Sequence, residues 1–146
     1  MGDFAVSDDD MEYATSQSAL DDHWNKIIAD GFAKAVEIYT EDAVLELPQS
    51  GQTISGREKI GKYRATKAEK IVRIERVRGR ADLWITEYLR YQNCRSHNII
   101  SIMEFRDGKV VRETEYCAEQ TAKTDLSSRP SMTTGRPIRG TRAIVT

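Results

Sequence analysis

The chain has 146 residues, which is the length of one domain. Its 22 Lys and Arg nearly cancel its 23 Asp and Glu, leaving a formal net charge of −1. That balance argues against a dedicated binder of nucleic acid or of an anionic membrane, and a hydrophobic share of 39% argues against general disorder. No apolar run approaches the roughly 20 residues that span a bilayer. The acidic start, Met1 to Asp10, has no apolar signal core, and Val6 stands where a myristoylation signal needs a hydroxyl. Cys94 and Cys117 form no metal motif by spacing, so the expected setting is a cytoplasmic protein with reduced thiols.

In chain order, residues 11–39 carry a helical pattern. Leu20, Trp24, Ile27 and Ile28 recur at helical spacing, and Phe32, Val36 and Tyr39 resume it beyond Gly31. Ser7 and the acidic residues after it suit a helix start, while Asp30-Gly31 should split the segment into a long helix and a short one. Residues 43–47 read as a short strand stopped by Pro48, and 49–53 as a turn or loop. Ser55-Gly56-Arg57-Glu58 fits a capping box that opens a third helix over about 56–68.

After that the period changes to two. Strands are expected over 71–78, 81–91, 95–105 and 109–119, separated by Gly79-Arg80, Gln92-Asn93-Cys94 and Asp107-Gly108. Asp-Gly is a strong signal for a two-residue hairpin. Three helices leading into an antiparallel meander give an α+β domain over 1–119. Residues 120–146 differ in character. They carry a net charge of +4 against −5 for the body, two of the three prolines, and no aromatic residue. This tail is expected to stay mobile or to lie on a partner subunit. Its lack of aromatics speaks against a nucleic-acid contact.

Several blocks resemble the nuclear transport factor 2-like superfamily in its SnoaL-like and ketosteroid-isomerase-like branch. They are Trp24, the run from Ala35 to Leu45 with Glu41-Asp42-Ala43-Val44, the run Ile54-Ser55-Gly56-Arg57-Glu58-Lys59-Ile60, and Phe105-Arg106-Asp107-Gly108-Lys109-Val110-Val111. The resemblance covers about residues 11–119. It implies a curved sheet wrapped on three helices as a cone with an apolar cavity, with neither metal nor organic cofactor. It does not fix an activity, because the scaffold serves isomerases, cyclases, dehydratases, hydrolases and non-catalytic modules alike.

The resemblance also shows departures. The isomerases place a general-base Asp directly before a Pro on the first strand, and here that position is Leu47, which cannot take a proton. Their oxyanion-hole Tyr falls near His23, and their protonated Asp near Ser101. A proton acceptor must therefore come from elsewhere. Glu113, Glu115 and Cys117 share one face of the last strand by alternation, and the match of the hairpin turn to the isomerases puts that face toward the cavity. Glu87 interrupts an apolar stripe of Leu83, Ile85 and Leu89. A carboxyl in such a setting is pushed toward neutrality and can shuttle protons near pH 7.

The candidate catalytic set is thus Glu115, Glu113 and Glu87, with His23 as the polar counterpart from the first helix. Trp24, Tyr39, Ile85, Ser101 and Cys117 are the candidate substrate contacts. The plainer alternative has the two strand carboxylates on a solvated face, paired with Arg73, Arg76, Arg78 or Arg80, and His23 as a boundary residue beside core Trp24. The expected partner is a small apolar or aromatic metabolite. Proton-transfer chemistry is the leading function, and a non-catalytic ligand-binding or dimerising module the alternative. Apolar residues of both parities on the strands (Leu83, Trp84, Ile85; Ile99, Ile100, Ile102, Met103) predict a homodimer through the outer face of the sheet.

Overall fold

Helix α1 spans Asp8–Asp30. Ser7 caps it as the sequence predicts, its side chain accepting a hydrogen bond from the Asp10 N–H at 3.1 Å. Gly31, at a φ of 92°, ends it. The expected short helix does not follow. Two 3₁₀ turns, Phe32–Lys34 and Val36–Ile38, lead straight into strand β1, Tyr39–Leu47. Tyr39 keeps the burial that its helical spacing implied, but its backbone pairs with Val110 instead. Its N–H donates to Val36 O to close the second 3₁₀ turn, and the chain runs from there into the ladder with β6.

Strand β2, Gln52–Ser55, then returns antiparallel along β1, where a loop was expected. Its sequence, Gln-Thr-Ile-Ser, is too polar to announce a strand, and pairing rather than burial holds it. Helix α2 covers Arg57–Ala65. The capping box does not form: the N-cap is Gly56, with no side-chain cap bond, and its N–H donates to Ala43 O at 2.7 Å. Ser55 belongs to β2 and has no backbone position from which to cap.

Strands β3 (Lys70–Arg80), β4 (Leu83–Gln92), β5 (Arg95–Arg106) and β6 (Lys109–Glu119) match the expected meander closely. Asp107 and Gly108 both take positive φ, 51° and 76°, as the hairpin turn requires. The sheet order is β2-β1-β6-β5-β4-β3. Every neighbouring pair is antiparallel except β1 and β6. Register shifts after Ile71 and Ile74 bend β3.

The architecture is α+β, a curved, open six-stranded sheet with two α-helices. The structure, a computed structural model, describes residues 7–67 and 69–121. The expected basic tail lies outside the described residues from position 122 onward.

The core lies between the helices and one face of the sheet. Leu20, Trp24 and Ile27 from α1 and Ile60 from α2 meet Leu45, Tyr88, Ile99 and Met103, all at most 4% exposed. Each such aliphatic side chain contributes about 1.5–3 kcal/mol by leaving water. Trp24 Nε1 donates to Thr86 Oγ1 at 3.1 Å, and Ser16 Oγ to Ala81 O at 2.5 Å. These two bonds fasten α1 across β4 and the turn before it. No helix among the described residues is long and apolar enough to cross a membrane.

Candidate functional site

Alternation along the three central strands decides what faces the helices. Trp84, Thr86, Tyr88 and Arg90 of β4 are buried on the inner side, with Ile99, Ser101 and Met103 of β5 and Glu113 and Glu115 of β6. Arg64, in the last turn of α2, enters the same space from above, 3% exposed. Glu69, just before β3, closes the group.

The result is a buried ion cluster. Arg64 Nη2 donates to Glu115 Oε2 at 2.8 Å and lies 3.5 Å from Glu113 Oε1, while its Nη1 lies 3.7 Å from Glu69 Oε2. Arg90 Nη1 donates to Glu115 Oε1 at 2.8 Å and lies 3.4 Å from Glu69 Oε2. Glu115 therefore receives one guanidinium on each oxygen. Glu113 is held differently, by hydroxyl groups. Tyr39 donates to Oε1, and Ser101 donates to Oε2 at 2.5 Å.

Fully ionised, the cluster would hold three carboxylates against two guanidiniums. Burial alone pushes every carboxyl up, and the neighbours decide the outcome. For Glu115 the two arginines outweigh burial and hold the carboxyl below its ordinary range. For Glu113 burial prevails over Arg64, the charge of Glu115 adds to it, and the carboxyl is raised. Glu69 is raised by burial as well, against Arg90 and Arg64. Burial also keeps Tyr39 and Tyr88 protonated, so both stay donors.

One end of the cluster opens on a cleft of about 160 Å³ between the β1–β2 turn, α2 and the ends of β4 and β6. Leu47, Tyr63 and Cys117 supply its less polar wall, and Gln49, Arg90 and Glu115 its polar one. Arg90 Nη2 also lies 3.6 Å from Cys117 Sγ. Among the described residues no group of His, Cys, Asp and Glu is placed to hold a metal ion.

No family model matches this chain, and no curated protein does. Solved structures do. An NTF2-like protein of unknown function from Burkholderia xenovorans LB400 is 37% identical, with 80% of this chain and 93% of that chain covered and a TM-score of 0.70. The chain belongs to the NTF2-like superfamily. Two more distant structures share the fold alone. A phenazine biosynthesis-related protein from Pseudomonas aeruginosa is 13% identical over 80% of this chain and 83% of its own, with a TM-score of 0.62. A protein with a ketosteroid isomerase-like fold from Catenulispora acidiphila DSM 44928, in complex with trimethylamine, is 15% identical over 66% and 83%, with a TM-score of 0.55.

In this NTF2-like protein the predicted site residues divide into three groups. Glu113, Glu115, Tyr39 and Ser101 come together in the ion cluster, and Glu115 and Cys117 line the cleft. His23 and Trp24 are buried nearby but apart from it. His23 packs 4.9 Å from the Trp24 ring and 6.0 Å from Tyr39, centroid to centroid, and borders a different cleft, beside Ala19, Ile38 and Lys109. Burial, with the Arg64 charge, lowers its pKa to about 3, so the imidazole is neutral.

Ile85 and Glu87 correct the expectation, for both lie on the outer face. Ile85 is 38% exposed, and Glu87 Oε2 pairs with Arg76 Nε at 2.7 Å. The apolar stripe of Leu83, Ile85 and Leu89 belongs to the other side of β4 from Trp84, Thr86 and Tyr88.

Arg64, Arg90 and Glu69 complete the cluster although the sequence does not single them out. Arg90 was findable, since it shares its parity on β4 with Trp84, Thr86 and Tyr88. Arg64 was not. It sits among Lys59, Lys62 and Lys67 in a helix of low apolar content, where one more cation reads as surface.

Proposed function

We propose that this chain binds a small molecule, apolar or aromatic in its body and polar at one end, in the cleft at the edge of the ion cluster. The observation that carries this reading is the wall of that cleft. Leu47 and Tyr63 offer apolar surface, and Arg90 and Glu115, both nearly buried, offer a donor and an acceptor respectively, already oriented by their mutual bond. Pockets of this make-up are the usual place for a small ligand. Preorganised polar groups also cost a ligand little in ordering. A thermal-shift screen of aromatic ketones and hydroxylated aromatics should raise the melting temperature for some members. Leu47→Trp, which fills the cleft, should abolish that rise without unfolding the protein. A ligand that still binds the Leu47→Trp variant would place the site elsewhere.

A catalytic form of this reading has one observation of its own. Glu113 and Glu115 are pushed in opposite directions, and such pairs often divide the acid and base roles. In that scheme Glu115, at the cleft, takes the substrate proton once the ligand has loosened its arginine bonds. Glu113, behind it, holds the proton that keeps the cluster neutral. General acid–base help of this kind amounts to about 10²–10⁴-fold in rate. Glu115→Gln should lower turnover of a bound ligand by about that factor. Unchanged turnover leaves the binding function alone.

The outer face supports a homodimer. Leu83, Ile85, Ile100 and Tyr116 lie there, each about 40% exposed. They are flanked by the pairs Arg76–Glu87 and Arg112–Glu104. Light scattering at micromolar concentration should give about twice 16.6 kDa, and Ile100→Glu should give the monomer.

A further inference from the structure

We propose that a second cleft, between the Phe32–Lys34 turn, the end of α2 and the start of β3, binds a small oxyanion, a carboxylate or a phosphate. The cleft holds about 240 Å³ and is separate from the one assigned to the apolar ligand. Its polar lining is Asp30, Lys34, Arg64, Lys67, Glu69 and Lys70.

Arg64 is the residue here whose hydrogen bonds are incomplete. Its side chain is 2% exposed, and its Nε and Nη1 have no hydrogen-bond partner among the described residues, although Nη1 stands 3.7 Å from Glu69 Oε2. A buried guanidinium N–H without an acceptor is costly. A carboxylate or phosphate oxygen is the acceptor that suits it best.

The charge at the rim agrees. None of Lys34, Lys67 and Lys70 closes an ion pair among the described residues; Lys67 lies over the Tyr63 ring, 5.2 Å from its centroid. The carbonyl ends of α1 and α2 also open here, and each acts as roughly half a negative charge. With Asp30 they offset about two of the three lysine charges and leave about one unmatched. Glu69 is matched within the cluster by Arg90 and Arg64. Phe32, Ala33 and Ala65 leave room for a small apolar body beside the oxyanion.

The test titrates the full chain, labelled with ¹⁵N, with inorganic phosphate in one arm and benzoate in another, at constant ionic strength. Saturable shifts of the Gly31, Ala33 and Ala65 amides are expected in at least one arm, and the responding arm tells phosphate from carboxylate. The variant Lys34→Gln/Lys67→Gln/Lys70→Gln changes exposed or half-exposed side chains only and should weaken that binding by about tenfold or more. Lys26→Gln, on α1 away from the cleft, should leave it unchanged. No saturable shift in either arm, or shifts of equal affinity in the triple variant, would overturn the proposal.

Discussion

Each face of the central sheet holds, beside its expected residues, some that are more usual on the other. The inner face of β4 and β6 buries Arg90, Glu113 and Glu115, while the outer face leaves Ile85, Ile100 and Tyr116 in contact with solvent. The strands are the same and the spacing is the same; only parity differs. A polar residue on the inner face is held by several partners, because an unpaired buried charge costs several kcal/mol. A polar residue on the outer face stays within reach of water whatever its partners, as Arg112 does between Glu46 and Glu104. Ion pairs on the two faces should therefore differ in strength although their distances are alike: 2.8 Å for Arg64–Glu115 and 2.7 Å for Arg76–Glu87.

The largest test of this contrast is Arg64→Ala. It strands Glu115 and Glu113 with less positive charge in a dry site, and should cost about 3–5 kcal/mol in a urea melt. A loss below 1 kcal/mol would mean that water reaches the cluster freely.

His23 comes next. Its folded pKa of about 3 lies below the ordinary 6.5, so the unfolded chain binds the extra proton first. Stability from this group is present above pH 6.5 and falls as the pH drops toward 3, by about 1.4 kcal/mol per unit. Between pH 6.5 and 4.5 the wild type should lose about 2–3 kcal/mol more than His23→Gln does. Parallel losses would show a solvated imidazole.

Glu113 has the opposite sign. Its folded pKa is raised, so the folded state keeps a proton that the unfolded state releases, and stability from this group falls as the pH rises from the ordinary carboxyl range through the folded value. Glu113→Gln imitates the protonated form. It should match the wild type within about 1 kcal/mol at pH 5 and become the more stable of the two as the pH rises. A difference that stays flat as the pH rises would mean that Glu113 is ionised throughout, as it is in the unfolded chain.

The smallest effect belongs to the outer face. A double-mutant cycle on Arg76 and Glu87, 43% and 33% exposed, should return a coupling of about 0–1 kcal/mol. A coupling near that of the inner cluster would show that a partner subunit covers the pair.

Much of the fold was legible in the residues because its signals are local. Ser7 as a cap, Asp107-Gly108 as a turn and the alternation of β3 to β6 each depend on a few neighbours. The errors fall where a distant strand intervenes. Tyr39 leaves its helical pattern to pair with β6, and Ser55 joins β2 before it can cap α2. In the candidate site, Glu113 and Glu115 were legible as neighbours on one face. Their arginine partners come from α2 and β4, 51 and 25 residues away from Glu115, and no spacing rule links such positions.

The order and kind of most elements, and the shared face of the last-strand carboxyls, follow from local chemistry, since periodicity and turn signals act over a few residues. Tertiary structure alone decided which face became the inside. β4 has apolar side chains on both parities, so hydrophobicity could not choose between Ile85 with Glu87 and Thr86 with Arg90. The choice was made when Trp24 of α1 bonded Thr86 and Arg64 of α2 met Glu115, which buried one face under the helices. The same packing set the charge of each carboxyl, because guanidiniums surround Glu115 while hydroxyls hold Glu113, and a pKa follows from the groups within a few ångströms rather than from neighbours in the chain.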